Sequence, residues 1–178
     1  YNAGNLKSVE KALVFLGETP VITRDKEQLL AADKVILPGV GAFGDAMDRL
    51  HQYGLVDVIK EVVKTNPDIY LFASPWSPPG WMKTGESMCG GYMRDKYLEC
   101  YARYFVRFLE EYEKCGISVS AVTPQNEPHA EQDSRYPTCM WHPEIEARFI
   151  LELRKKLTEA GRNTEIWMHD HGFEKWGK

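Results

Sequence analysis

Leu98, Tyr101, Phe105, Phe108 and Tyr112 recur three or four positions apart, with charged and polar residues between them. This spacing predicts an amphipathic helix over 95–115, stopped by Gly116. A second helix is predicted over 143–160. Pro143 sits in its first turn, Ile145, Phe149, Ile150, Leu153 and Leu157 form its apolar stripe, and Gly161 closes it. Three further helices fall near 5–16, 26–32 and 44–63. In the first of these, Leu6, Val9, Leu13 and Leu16 share a face and Gly17 follows. Between the helices lie short apolar runs bounded by turn residues, at 20–23, 34–37, 69–73, 118–123 and 165–169, and these read as strands.

Strands alternating with helices of this length imply βα units. The expectation is an α/β fold of about five mainly parallel strands, with helices on both faces and open sheet edges that invite self-association. No strand precedes the first helix, where an α/β domain ordinarily opens on one, so the pattern is that of a clipped unit. The two longest loops follow the runs at 69–73 and 118–123. Such loops, at the C-terminal ends of parallel strands, are where these folds hold their chemistry. Here they gather tryptophans, prolines and carboxylates.

Composition narrows the function classes. The 178 residues carry a net charge of −4, and no lysine or arginine cluster marks a nucleic-acid surface. No apolar run reaches the roughly 18–20 residues of a membrane span, and residue 1 opens no secretory leader. Cys89, Cys100, Cys115 and Cys139 lack metal-ligand spacing and read as reduced thiols. The expectation is a soluble chain, cytoplasmic if expressed as it stands, with no metal and no cofactor.

Two stretches carry candidate chemistry. In "KVILPGVGAFGDAM" a strand runs into a glycine-rich turn and then a helix, so the backbone N–H groups of Gly39, Val40 and Gly41 can converge on an anion. The plainer reading is a tight βα turn. In "AVTPQNEP" a β-branched run delivers Asn126 and Glu127 into a proline-bounded loop, the placement of an acid catalyst at a strand end.

Residues 1–63 resemble the glutaminase subunit of imidazole glycerol phosphate synthase, a class I glutamine amidotransferase of flavodoxin-like fold. The matching words are "GNLKSVEKA", "ADKVILPGVGAFGDAM" and the run from Gly54 to Val63. By that resemblance Pro38, Gly39, Val40 and Gly41 form an oxyanion strand. The family also needs a nucleophilic cysteine on a glycine-flanked elbow, and here Ala73 or Ser74 stands where it belongs. Cys89 in "SMCGGYM" and His142-Pro143-Glu144 imitate the missing groups, but the first follows no strand and the second opens a helix.

Residues 66–176 resemble an internal piece of glycoside hydrolase family 30, which contains glucosylceramidase-like and related retaining β-glycosidases. "LFASPWSPPGWMKT", "GGYM", "YARYFVRFLEEYEKCGISVSAVTPQNEP" and "IWMHDHGFEKW" occur in the family's order. The resemblance implies about the third to fifth units of a (β/α)8 barrel. It makes Glu127 the acid/base, Asn126 the ligand of a sugar 2-hydroxyl, Trp76 and Trp81 flat faces for a sugar ring, and Asp170 and His171 hydroxyl ligands. Each also has a plainer reading: a solvated loop carboxylate, loop packing, and a chain-end cap. Retention needs a second carboxylate about 5–5.5 Å from the first. In the family it comes from the seventh strand, and Glu131, Asp133 and Asp170 do not match its context.

The two resemblances divide the chain into 1–63 and 64–178, packed as one domain. The junction near residues 64–67 keeps helix and strand in alternation, as recombination of βα fragments does, whether by design or by fusion. Three functions follow: an α/β hybrid without a complete active site, a glycosidase or sugar binder completed by another chain, and a glutaminase-like subunit.

Overall fold

The computed structural model describes residues 6–36, 43–66, 68–129, 136–168 and 170–171. The chain divides into two compact units, Tyr1–Ile69 and Tyr70–Lys178.

The first unit is helical among its described residues: α1 (Leu6–Phe15), α2 (Lys26–Leu30), α3 (Phe43–Gln52) and α4 (Leu55–Thr65). The Asp25 side chain caps α2 by accepting the Gln28 N–H at 3.0 Å. The single helix expected over 44–63 is two, because Gly54 adopts a left-handed φ of 64° between them. That backbone is one glycine reaches without strain. Leu50, Leu55 and Val56 form a small core against Leu29, Tyr53 and Ile59.

The strands expected at 20–23 and 34–37 are not formed by the described residues 20–23 and 34–36. Val21 and Ile22 are 70% and 52% exposed. A β-branched run becomes a strand only where a neighbour takes up its main-chain hydrogen bonds, and neither run has such a partner among the described residues. Leu37 and the turn at Gly39, Val40 and Gly41 lie outside the described residues.

The second unit is built from two consecutive βαβ crossovers. Strands β1 (Phe72–Ala73), β2 (Ala121–Val122) and β3 (Glu165–Ile166) form a parallel sheet in the order β1-β2-β3, with Phe72, Ala121 and Glu165 in one register row. The ladder runs past the formal strand ends: Thr123 N–H donates to Ala73 O at 2.9 Å and Trp167 N–H to Val122 O at 2.9 Å. The crossovers are α5 (Leu98–Lys114) and α6 (Pro143–Glu159), ended by Gly116 and Gly161 at positive φ as their sequences predict. Pro143 opens α6, and Glu144 and Glu146 in its first turn suit the positive end of the helix dipole.

The core lies between this sheet and the two helices. Tyr101 and Phe105 of α5 meet Phe149 of α6 at ring-centroid distances of 5.1 and 5.6 Å, and Leu153 and Leu157 continue the seam. Val122 faces them, flanked by Ala73 and Ile166. Phe149, Leu153 and Leu157 are fully buried, each contributing about 1.5–3 kcal/mol relative to exposure.

The other sheet face carries Tyr70, Phe72 and Trp167, which are 48%, 58% and 41% exposed. Tyr70 stacks on Trp167 at 5.4 Å, and both donate to the Glu165 carboxylate, at 2.9 and 2.8 Å. Two expectations are thereby corrected. The described residues form three strands instead of five, and in this unit α5 and α6 cover one sheet face, not both.

Candidate active site

All three strands of a parallel sheet end on one rim, so the residues that follow them meet. Ser74 follows β1, Thr123 follows β2, and Asp170 lies four residues beyond β3. Ser74 Oγ donates to Asp170 Oδ2. Thr123 Oγ1 lies 2.8 Å from Ser74 Oγ and 3.1 Å from Asp170 Oδ2, so its one hydrogen is shared between them. A half-buried carboxylate oxygen thus joins the ends of three strands.

The catalytic candidate hangs from this node. Asn126 N–H donates to Pro75 O at 2.8 Å, and Glu127 N–H donates to the main-chain oxygen of Asp170 at 2.7 Å. Glu127 has φ = 45°, a left-handed backbone unusual for a residue with a side chain. Such a conformation costs roughly 1–2 kcal/mol and persists only where surrounding contacts hold it. Glu127 is partly buried.

Beneath the loop, Gln125 is fully buried and fully used. Its Nε2 donates to Trp76 O at 2.8 Å and Asn126 O at 2.9 Å, while Trp141 Nε1 donates to its Oε1 at 3.3 Å. Trp141 N–H also donates to Pro128 O at 2.8 Å. Gln125 therefore links the Trp76 loop to the Asn126-Glu127 loop from below.

A second buried tether shapes the long loop after β1. Lys83 is wholly buried, and its ammonium donates to Ser77 Oγ at 2.9 Å, Met88 O at 2.7 Å and Thr138 O at 2.6 Å. Burial holds it below the usual lysine range. Nearby, burial pushes the Cys139 thiol up to about 12.

Of the residues expected from sequence, Asn126, Glu127, Asp170 and His171 come together at the rim, and the main chain of Trp76 joins them through Gln125. The Trp76 ring meets Tyr136 edge-on at 5.6 Å. The His171 ring lies 6.5 Å from that of His129. Trp81 is 53% exposed on a short 3-10 turn and packs edge-on against Tyr97 at 5.1 Å. Glu131 and Asp133 lie outside the described residues. The His142 ring stacks on Tyr92 at 4.8 Å, and the four cysteines are free thiols.

Sequence reasoning missed the joining role of Ser74, Thr123 and Gln125, and missed Lys83 altogether. Gln125 had a signal, its place beside Asn126 and Glu127; a single lysine in "GWMKT" had none. Among the described residues, no three His, Cys, Asp or Glu side chains group as metal ligands, and no helix is long and apolar enough to cross a membrane.

Residues 48–175 match the glycosyl hydrolase family 30 TIM-barrel domain. The chain belongs to this family. A stretch of 85 residues, 45% of the chain, is 46% identical to putative glucosylceramidase 1 of Caenorhabditis elegans, covering 16% of that protein. The solved structure of SrfJ from Salmonella typhimurium superposes with a TM-score of 0.62 at 32% identity, over 74% of this chain and 31% of that one. The chain has a second likeness: 62 residues, 35% of the chain, are 53% identical to the imidazole glycerol phosphate synthase subunit HisH of Bacillus cereus, covering 30% of it. The hybrid resemblance read from the sequence therefore holds, and the chain spans less than a third of the length of each of these three proteins.

Proposed function

We propose that this family 30 chain carries the acid/base half of a retaining β-glycosidase site, and that the nucleophilic carboxylate is supplied by polypeptide outside these residues. The observation behind this reading is the placement of Glu127: next to Asn126, at the end of a parallel strand, on a backbone held by Asp170. In the proposed chemistry Glu127 protonates the glycosidic oxygen as the bond to the anomeric carbon breaks, and later takes a proton from the attacking water. Asn126 binds the sugar 2-hydroxyl, Trp76 and Trp81 offer ring faces, and His171 reaches a further hydroxyl. The substrate class in this proposal is a β-linked glucoside, in keeping with the glucosylceramidase likeness.

Small carboxylates test this directly. Formate can attack the anomeric carbon of 4-nitrophenyl β-glucoside while Glu127 gives its proton to the departing phenolate oxygen, leaving α-glucosyl formate and nitrophenol. Nitrophenol release that depends on formate and falls about 10²–10⁴-fold in Glu127→Gln is expected. No formate-dependent release sinks the acid/base assignment. Rapid release without formate sinks the half-site.

The sequence division into a flavodoxin-like segment at 1–63 and a barrel-type segment at 64–178 belongs to the same proposal, as the product of fusing two βα fragments. The HisH likeness favours a second, glutaminase-like role for the first segment. Selective labelling of Cys89 by a glutamine-analogue electrophile supports that role, and labelling of Cys89 no faster than exposed Cys100 counts against it. Among the described residues β1 and β3 are the outer strands of the sheet, and their edges are proposed to drive self-association. A monomeric light-scattering peak with cooperative melting contradicts it.

A further inference from the structure

We infer that Asp170 is the positioning residue of Glu127, an inference that rests on the acid/base reading of Glu127. Asp170 acts twice. Its main-chain oxygen accepts the Glu127 N–H at 2.7 Å, and its Oδ2 takes hydrogen bonds from Ser74 and Thr123. The segment beyond β3 is thus pinned by the Asp170 side chain to the ends of β1 and β2. The same residue then presents a fixed carbonyl to the loop beyond β2.

The arrangement answers a mechanical need. Glu127 sits at φ = 45°, outside the wells a side-chain-bearing residue ordinarily occupies. If its N–H loses its acceptor, the peptide relaxes towards an ordinary well and the carboxyl swings away from the leaving oxygen. Proton transfer needs heavy-atom separations of about 2.6–3.2 Å, and a misplacement near 1 Å costs about 10²-fold in rate. A carboxylate suits the node because two hydroxyls address one oxygen, and charged acceptors make the shorter, stronger bonds. Ser74 and Thr123 are 96 and 47 residues from Asp170 in sequence, so the node is made by the fold and not by local turn geometry.

The role differs from that of a hydroxyl ligand, and leaving groups separate the two. A 2,4-dinitrophenyl glucoside departs without a proton, whereas 4-methylumbelliferyl needs one. With formate as nucleophile, Asp170→Ala is expected to lower release of methylumbelliferone about 10–100-fold and to leave dinitrophenol release within about threefold. Asp170→Asn, which still accepts from both hydroxyls, is expected to restore most of the loss. Equal losses on both glucosides, or none on either, overturn the inference.

A second readout needs no turnover. In the 178-residue chain, hydrogen exchange of the Glu127 amide is expected to accelerate at least tenfold in Asp170→Ala while amides in α5 and α6 stay unchanged, with protection regained in Asp170→Asn. Thr123→Val and Ser74→Ala, each removing one bond to the node, give the same test with milder changes if the alanine variant does not fold. Unaltered Glu127 exchange in all of them overturns the inference. Absence of formate-dependent turnover in the parent chain strikes the acid/base reading alone, and the exchange data still decide the positioning.

Discussion

The ammonium of Lys83 and the main-chain oxygen of Thr138 lie 2.6 Å apart in a position closed to solvent. Among the described residues the Lys83 ammonium donates to two carbonyls and a hydroxyl and to no carboxylate, so dipoles meet this buried charge directly.

Lys83→Met fills the space but strands the Thr138 carbonyl, while the Met88 carbonyl keeps the Thr138 N–H at 3.1 Å. A loss of about 1–3 kcal/mol is expected, with the loop after β1 the first to loosen, read by urea unfolding and limited proteolysis. The sign with pH is also fixed. Folded Lys83 holds its proton less tightly than the unfolded chain does, so its penalty is fully present below its lowered value and is relieved as pH rises towards 10.5. The stability difference between parent and variant therefore moves in the parent's favour across that window.

Cys139 works in the opposite direction. Its thiol ordinarily titrates near 9.0 and here near 12, chiefly through burial. Its contribution is complete below pH 9 and is lost as pH rises towards 12, of the order of 4 kcal/mol over the full window. Cys139→Val should flatten the alkaline limb of the stability curve. In the native chain a thiol reagent should label exposed Cys100 rapidly and Cys139 only on unfolding.

The exposed aromatic face offers an optical reporter. Hydrogen bonds from Trp167 Nε1, and then from Tyr70 Oη, hold the Glu165 carboxyl below its ordinary 4.5. The network is intact above that pH and dissolves as pH falls through the lowered value. Trp167 emission should change in an acid titration with a midpoint below 4.5, and Glu165→Gln should abolish the step.

Glu127 should reveal a conflict between stability and chemistry. Glu127→Gly removes the proton donor and the left-handed strain together, so among variants that lack the carboxyl it is expected to melt highest. Glu127→Val, β-branched at a positive φ, should lose about 1–2 kcal/mol. Calorimetry of the two variants beside Glu127→Gln checks the order.

The second unit was largely legible in the sequence because its elements are long and strongly periodic. The stripes from Leu98 to Tyr112 and from Ile145 to Leu157 fall inside α5 and α6, and Gly116 and Gly161 follow the helix ends. Ala73, Val122 and Ile166 face those helices as buried parallel strands should. The runs at 20–23 and 34–37 misled because an apolar β-branched segment specifies a strand only in company, and pairing partners are not written in local pattern. The break at Gly54 was overlooked because apolar spacing continues across it. At the site, Asn126 and Glu127 were visible as a motif. The node of Ser74, Thr123 and Asp170 was not, since three common polar residues far apart in sequence carry no local mark.

The node also has a kinetic consequence. Helices α5 and α6 can form from neighbouring residues, but the rim needs strand ends about 50 and 100 positions apart to meet, and such distant closures come late in folding. Glu127 should reach its left-handed backbone only after β3 has docked. A nascent chain would carry a complete helical seam well before it carried a competent acid, and the site's appearance would serve as a clock for the last step of assembly.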